Sequence, residues 1–316
     1  MELESRIYIA GHNGMVGSAI VRNLRERGYN NLILINRNQL DLLDQENVKV
    51  FFKKNKPEYV FICASRVGGI HANNTYRAEF IYENLEMQNN LIHFSYMNGV
   101  KKLFFLGSSC IYPRDSKQPM KEEYLLKGPL EKTNEPYGIA KIAGIKMCEN
   151  YYRQYGANYI SVMPTNLYGP HDNFDLNTSH VLPALINKFH DAKIKNSNYV
   201  EVWGSGNPKR EFLYVDDCAD ACVHLMNSLD AKSLFSQKIT HINIGSGKEI
   251  SIKDLAILIT EIIDYKGQIK FNIEKPDGSK HKLLDISRLS NLGFKAKIDL
   301  KTGIKKTYNW YIQNHL

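Results

Sequence analysis

The sequence predicts an α/β protein, a doubly wound parallel sheet with a smaller C-terminal lobe. Two features carry that expectation. The first half of the chain alternates short apolar runs with longer amphipathic stretches, the order in which βαβ units are laid down. The apolar runs, at residues 6–10, 32–36, 59–64, 102–107 and 159–164, lack polar alternation, as strands covered on both faces do.

The intervening stretches read as helices with recognisable ends. Residues 15–27 place Val16, Ile20 and Leu24 on one face and stop at Gly28. Residues 79–98 form a long helix ending at Gly99. Residues 136–155 form another, opened by Pro136, where a missing N–H costs little, and ended by Gly156. Beyond Pro170 the alternation breaks down. A strand at 211–215 leads into Asp216 and Asp217, both good helix N-caps. A strand at 241–244 precedes an amphipathic helix at 251–264. The expected division is a nucleotide-binding domain of residues 1–170 plus about 211–246. A substrate lobe of about 171–210 plus 247–316 closes over the carboxyl edge of the sheet.

At 316 residues with 43% hydrophobic residues, the chain can bury a sizeable core. No apolar run approaches the roughly 20 residues that span a bilayer, and the first ten residues lack a secretion-signal layout. A soluble, cytoplasmic protein without membrane partners is expected. The formal charge is +8. No dense basic run and no stripe of arginine with aromatics accompanies it, so nucleic acid is not an expected partner. Compositional drift, with a need to hold phosphates, accounts for the excess. Five scattered cysteines, Cys63, Cys110, Cys148, Cys218 and Cys222, argue against a disulfide framework. Cys218 and Cys222 lie one helical turn apart without a His or Cys partner motif. They read as core residues, and no metal is expected.

The first apolar run passes directly into Gly11, Gly14 and Gly17 and then a helix. Glycines there permit a tight turn and close approach of a pyrophosphate to the backbone, with the helix N-terminus facing the anion. Strand before and helix after make this a Rossmann-type dinucleotide site, with Gly11, His12, Asn13, Gly14, Met15, Val16 and Gly17 as its loop. The three-residue spacing points to the short-chain reductase branch. At the end of the second strand an NAD enzyme places a carboxylate for the ribose. Here Asn36 and Arg37 stand instead, and a guanidinium pairs with a 2′-phosphate that a carboxylate would repel. NADP(H) is therefore the expected cofactor, with Asp41 and Leu42 suited to the adenine.

The 102–107 run ends in Ser108, Ser109 and Cys110, and the 136–155 helix carries Tyr137 and Lys141 four residues apart on one face. Moving a phenol from about 10 to near 7 takes about 4 kcal/mol. A unit charge about 4 Å away in an effective dielectric near 20 supplies about that much. Lys141 can thus make Tyr137 a proton donor near neutrality, with Ser108 bonding the substrate oxygen.

Nearly end to end, the chain resembles the GDP-fucose synthase branch of the extended short-chain dehydrogenase/reductase family. The stretches that carry the likeness are GHNGMVGSAI (11–20), VGGIHANNTY (67–76), LGSSCIYP (106–113), TNEPYGIAKIAGIK (133–146), MPTNLYGPHDNF (163–174), SHVLPAL (179–185), VWGSG (202–206), REFLYVDD (210–217) and KPDG (275–278). The resemblance implies a homodimeric NADPH-dependent 4-reductase and 3,5-epimerase of a GDP-linked 4-keto-6-deoxy sugar. It makes Ser108, Tyr137 and Lys141 the reductase triad, and Cys110 and His180 the epimerisation base and acid. By residue pattern alone, Cys110 reads as packing and His180 as a helix cap. The family pattern adds Leu106, Gly107, Lys141, Pro164, Asn166, Leu167 and His180 on the cofactor side. It gives Ser108, Asn166, Lys188, Trp203, Arg210 and Asp277 to the nucleotide sugar. Ser65–Arg66, residues 76–79 and residues 175–178 depart from that pattern, leaving hexose and heptose both open. A reductase without epimerase activity is the alternative within enzymes. A non-catalytic NADPH-binding regulator is the alternative outside them.

The Arg37 argument is tested by cofactor kinetics. The wild type is expected to prefer NADPH clearly, and Arg37→Ala or Arg37→Asp to weaken that preference. Equal use of NADH by the wild type overturns it.

Overall fold

The computed structural model describes residues 1–275 and 277–315. Pro276, inside the KPDG stretch, and Leu316, at the end of the expected second lobe, lie outside the described residues. The chain runs through β1 (Ile7–Ala10), α1 (Met15–Glu26), β2 (Leu32–Ile33), α2 (Gln45–Asn55), β3 (Tyr59–Ile62), α3 (Ile70–Thr75), α4 (Arg77–Met97), β4 (Lys102–Leu106), α5 (Glu135–Tyr155) and β5 (Tyr159–Pro164). It continues through β6 (Asn166–Tyr168), α6 (Val181–Ile194), β7 (Tyr199–Trp203), β8 (Lys209–Tyr214), α7 (Val215–Ser228), α8 (Ala231–Ser236) and β9 (Ile242–Ile244). Then come β10 (Glu249–Ser251), α9 (Ile252–Ile263), β11 (Gln268–Asn272), β12 (His281–Lys282), α10 (Ser287–Asn291) and α11 (Leu300–Asn314).

Six strands make one parallel sheet in the order β2-β1-β3-β4-β5-β9. Both of its faces are covered, which explains the unbroken apolar runs. In β1, Ile7 and Ile9 join the core under α1 and α7, while Tyr8 and Ala10 join the core under α2, α4 and α5. The side-chain period of two is present, but it alternates between two interiors rather than between core and water. Cys218 and Cys222 are fully buried on α7 in the first of these cores. Strand order reverses between β1 and β3, and a crevice opens beyond the carboxyl ends of the strands at such a switch.

A second set of strands lies beyond that edge. β8 pairs with β6, β10 and β12, and β7 pairs with β11. Helices α6 and α9 close over them through Leu182, Leu185, Ile186, Phe189, Leu255 and Ile259. Glu211 joins the two regions. Its fully buried carboxylate accepts from the N–H groups of Gly247 (2.7 Å) and Leu284 (2.9 Å). Its own carbonyl accepts from Asn166 Nδ2 at 2.8 Å.

Several sequence expectations need correction. β2 has two residues, not five, because the chain turns away at the sheet edge. The 79–98 helix begins at Arg77, and a separate α3 precedes it. Asp216 and Asp217 do not cap α7; they lie inside its first turn, and the Asp217 carboxylate instead accepts from the N–H groups of Lys297 and Ile298. Ser251 does cap α9, accepting from Asp254 N at 3.0 Å. Gly28, Gly99 and Gly156 follow their helices with φ of +85°, +68° and +70°, the left-handed region open to glycine at little cost. Among the described residues, no helix is long and apolar enough to cross a membrane.

The glycine loop after β1 holds two different kinds of glycine. A Cβ on Gly17 would stand 2.2 Å from the Gly11 carbonyl oxygen, a backbone atom with nowhere to go. A Cβ on Gly14 would meet nothing closer than 3.5 Å, and its φ of −74° suits any residue. Gly17→Ala is therefore expected to lower the unfolding free energy by about 1–3 kcal/mol, and Gly14→Ala by no more than about 0.5 kcal/mol. Urea unfolding measures both, and equal losses would overturn the distinction.

Candidate active site

The carboxyl ends of β1, β3, β4 and β5 all point into the crevice, and each delivers a loop the sequence had singled out. The glycine loop follows β1. A Cβ on Gly11, whose φ is +83°, would lie 2.7 Å from Ala64 N, so this loop lies directly against the one that follows β3. Asn13 Nδ2 donates to Asn36 Oδ1 at 2.7 Å, tying the same loop to the turn beyond β2. Arg37 stands exposed on that turn. The Asp41 carboxylate accepts from Leu43 N, and the Leu42 carbonyl accepts from Asn90 Nδ2 at 2.9 Å.

Whether a dinucleotide fits is decided at Gly14. Neither its conformation nor any protein neighbour requires a glycine there. Gly14 is also the N-cap of α1, a helix with no acidic residue in its first turn. A bare backbone at an unencumbered helix N-terminus is what a pyrophosphate needs.

Ser108 follows β4 and starts a short helical turn through Ile111; its Oγ accepts from Cys110 N at 3.3 Å. The first turn of α5 packs onto this segment so closely that a Cβ on Gly138 would lie 2.9 Å from the Cys110 carbonyl oxygen. That contact brings Tyr137, Cys110, Phe80 and Ala72 into one small cluster. Lys141, one turn further, is 3% exposed and donates to the Leu106 carbonyl at 3.0 Å. Its Nζ lies 5.7 Å from the centre of the Tyr137 ring.

The electrostatics differ from the sequence expectation. Burial pushes the Tyr137 phenol well above its ordinary value, the Cys110 sulfur adds to the rise, and the Ser65 and Ser108 hydroxyls oppose it. Burial also pushes the Lys141 ammonium down, to about 8, against Cys63. Desolvation disfavours the charged form of both groups and outweighs the attraction that their helical spacing suggested. Lys141 still carries its charge at neutral pH, and its bond to Leu106 fixes where that charge stands. A group with access to both Tyr137 and Ser108 would meet a neutral phenol ready to donate.

His180 is the N-cap residue of α6, but its side chain makes no cap bond, so the cap reading from residue pattern fails. Water reaches the imidazole, yet protein surrounds it. Desolvation by the surrounding protein, then the charge of Lys282, pushes it below its ordinary value. Gly68 and Gly69 explain how it is held beside the Tyr137 cluster. A Cβ on Gly69 would meet the Ser179 carbonyl oxygen at 2.4 Å, and one on Gly68 would lie 3.3 Å from Phe80. Gly69 N also donates to the Thr178 carbonyl at 2.8 Å. The loop before His180 is itself rigid, since Asp175 Oδ1 accepts from Asn177 N, Thr178 N and Thr178 Oγ1.

Four of the expected nucleotide-sugar residues, Lys188, Trp203, Arg210 and Asp277, gather on one flank. Lys188 Nζ lies 5.2 Å from the centre of the Trp203 ring, and Lys275 Nζ 5.3 Å from it, while Trp203 as a residue is 52% exposed. A Cβ on Gly278 would lie 3.4 Å from Arg210 Nη2. The Asp277 carboxylate already holds Ser205 through its N–H (2.6 Å) and Oγ (2.8 Å), so it shapes the turn beside Trp203. Asn166 begins β6 directly after β5 and donates to the Glu211 carbonyl. Pro164 and Leu106 are buried strand ends, Leu167 packs partly into the core, and Gly107 is bare because Met163 Cε would lie 2.1 Å from a Cβ.

Sequence reasoning missed Ser65, Lys282 and Asn134. Lys282 pairs in register with Arg210 and lines the same small cavity as Cys110. Ser65 bonds Asn84 at 2.6 Å, and the adjacent Arg66 lies over the Tyr76 and Phe80 rings and pairs with Glu83. Only Asn134 had a readable signal, a helix N-cap residue just ahead of Tyr137. Among the described residues no His, Cys, Asp or Glu cluster is placed to hold a metal.

Residues 7–245 match the model of the NAD dependent epimerase/dehydratase family. The chain is similar to the GDP-L-fucose synthase of Escherichia coli (strain K12), at 52% identity covering 98% of each chain. It is similar in structure to a GDP-6-OMe-4-keto-L-xylo-heptose reductase from C. jejuni, with TM-score 0.94 and 45% identity over 99% of both chains. A GDP-mannoheptose C4 reductase from Campylobacter jejuni with NADP bound superimposes with TM-score 0.90 at 45% identity, again over 99% of both.

The neutral, buried phenol yields a direct test. Tyr137→Phe is expected to lower NADPH oxidation with a 4-keto sugar nucleotide about 10²–10⁴-fold while NADPH affinity stays near wild type. Turnover within about tenfold of wild type would mean that another group delivers the proton.

Proposed function

The chain belongs to the NAD dependent epimerase/dehydratase family, and from that premise we propose that it is an NADPH-dependent 4-reductase and 3,5-epimerase. Its substrate is a GDP-linked 4-keto-6-deoxy sugar, the mannose-derived hexose by default, with the heptose counterpart suited to the same chemistry. The observation that carries the reading is the grouping of four side chains: Cys110 packs with Tyr137, the Ser108 hydroxyl faces the Tyr137 phenol, and Lys141 lies one turn on with its Nζ 5.7 Å from the ring centre. A glycine loop with room for a pyrophosphate lies in the same crevice. The printed names of the relatives support the GDP sugar, and the bound NADP of one of them supports the cofactor.

In this reading residues 1–170 and about 211–246 hold the cofactor, and about 171–210 and 247–316 hold the nucleotide sugar. The nicotinamide supplies the hydride for carbon 4. Tyr137 donates the proton to the carbonyl oxygen, Ser108 holds that oxygen, and Lys141 keeps a positive charge behind the phenol. The ketone acidifies the hydrogens on carbons 3 and 5. Cys110 removes each proton from one face of the ring, His180 returns one to the other face, and Ser108 and Tyr137 stabilise the enolate oxygen between the two steps. The Lys188, Arg210 and Lys275 cations suit a diphosphate, and Trp203 offers a flat face to the base.

Expected surroundings follow from the same reading. The protein acts in the cytoplasm as a homodimer. Tyr82 and Met97 on α4 and Ile139 on α5 are large apolar side chains exposed on adjoining helices, a surface that pairing of two copies would cover.

Turnover in deuterated water separates the two activities. Deuterium is expected at carbons 3 and 5 of the wild-type product and to be lost with Cys110→Ser and His180→Gln. The Cys110 variant should still reduce an already epimerised 4-keto substrate. Wild-type product without deuterium at either carbon would mean a dedicated 4-reductase.

A further inference from the structure

Asn134 occupies the N-cap of α5, where an asparagine side chain ordinarily accepts a hydrogen bond from the first turn of its helix. It makes no such bond. Its Nδ2 instead donates to Cys110 Sγ at 3.1 Å, and its Oδ1 is buried without a protein partner. The backbone on either side is held independently, with Asn134 N donating to the Glu131 carbonyl at 3.2 Å and Gly138 N to the Asn134 carbonyl at 3.0 Å. With ψ of 14° the Asn134 backbone is not extended as a capping residue's is, so the helix end makes no claim on the amide. The amide points at the sulfur although its own oxygen is left unmet, and the contact it does make explains that arrangement.

We propose that Asn134 is a positioning residue for Cys110, donating to its sulfur so as to favour the thiolate and aim it into the cleft. This rests on the reading of Cys110 as the epimerisation base. A donor to the charged form favours that form. Here the first turn of the 21-residue α5 packs on the Cys110 backbone. As a thiolate, Cys110 can take a proton from carbon 3 or carbon 5, becoming a thiol while the C–H electron pair passes into the enolate. As a thiol it can take none. Arg114, Glu131, His281 and Lys282 line the cavity beside the sulfur, and Tyr137 faces it from α5. They are unchanged in every variant below.

The test is the rate at which iodoacetamide alkylates Cys110, its sulfur displacing iodide, in full-length protein saturated with NADP⁺. Mass spectrometry of the Cys110 peptide reads the site. Burial pushes Cys148 up to about 12 and Cys222 well above its ordinary value, and it likewise raises Cys63, so background labelling is slow. Asn134→Asp can donate nothing and sets a carboxylate against the sulfur. It is expected to slow alkylation at pH 7 by about tenfold or more and to move the midpoint of its pH profile upward. Deuterium entry at carbon 3 should fall in parallel, and the melting temperature should hold. Asn134→Ser, too short to reach the sulfur, should show the same losses if the Asp variant folds poorly. Alkylation within twofold of wild type in both variants overturns the proposal. If the variants slow alkylation but Cys110→Ser leaves deuterium entry intact, Asn134 does tune the sulfur and it is the base assignment that fails.

Discussion

The fully buried Glu211 carboxylate is the contact on which the arrangement of the two regions depends. Its oxygens hold the N–H groups of Gly247 and Leu284, while its own carbonyl takes Asn166 from the strand beyond β5. Gly245 has no room for a side chain because the same carboxylate lies 2.3 Å from where a Cβ would stand. Burial raises this group and the donated N–H groups oppose the rise. A carboxylate in such a place is tolerable only when its lone pairs are met. The segments it joins are those that bring Arg210 and Lys282 into register on one side and the end of β5 on the other. It acts together with the β6–β8 pairing and the bonds from Asn243 Nδ2 to the Met120 and Asp285 carbonyls, and these contacts set where Arg210 and Lys282 stand relative to the sheet edge.

At the sheet edge the same physics, desolvation, acts on the reacting groups. Tyr137 and Lys141 are both driven toward their neutral forms, so the pair is better described as a buried acid with a nearby, fixed cation than as a phenolate held by an ammonium. The cation matters through its placement on the Leu106 carbonyl at the end of β4, the strand that also delivers Ser108. One helix and one strand end thereby set the positions of Tyr137, Ser108 and Lys141, which is how rigid elements keep such groups within small tolerances.

Rigidity extends to the far side of the crevice. The loop before His180 is folded around Asp175, and the paired glycines after Val67 let it lie against Phe80, whose ring meets that of Tyr137 edge to face with centroids 6.4 Å apart. The stretches where the chain departs from its relatives' pattern, Ser65–Arg66 and residues 175–178, belong to this wall.

Much of this was legible in the sequence, because local patterns report local physics. The parallel sheet followed from apolar runs without alternation, and helix ends followed from Gly28, Gly99 and Gly156, whose positive φ glycine adopts at little cost. The glycine loop, Ser108, Tyr137 and Lys141 could be named from spacing, and Cys110 and His180 only through resemblance. What spacing could not show was how buried each group is, and burial reversed the expected tuning of Tyr137. Nor could it show contacts between segments far apart in the chain: Glu211 on Leu284, Gly69 on Ser179, Lys282 beside Arg210. Asn134 marks the boundary between the two. Its place just ahead of Tyr137 can be read along the chain, but only the packing of α5 on the loop after β4 turned its amide to the sulfur. Sequence determines the conformations a segment prefers by itself; the tertiary structure decides which polar groups are dry and which atoms they face, because desolvation and contact are properties of the assembled interior.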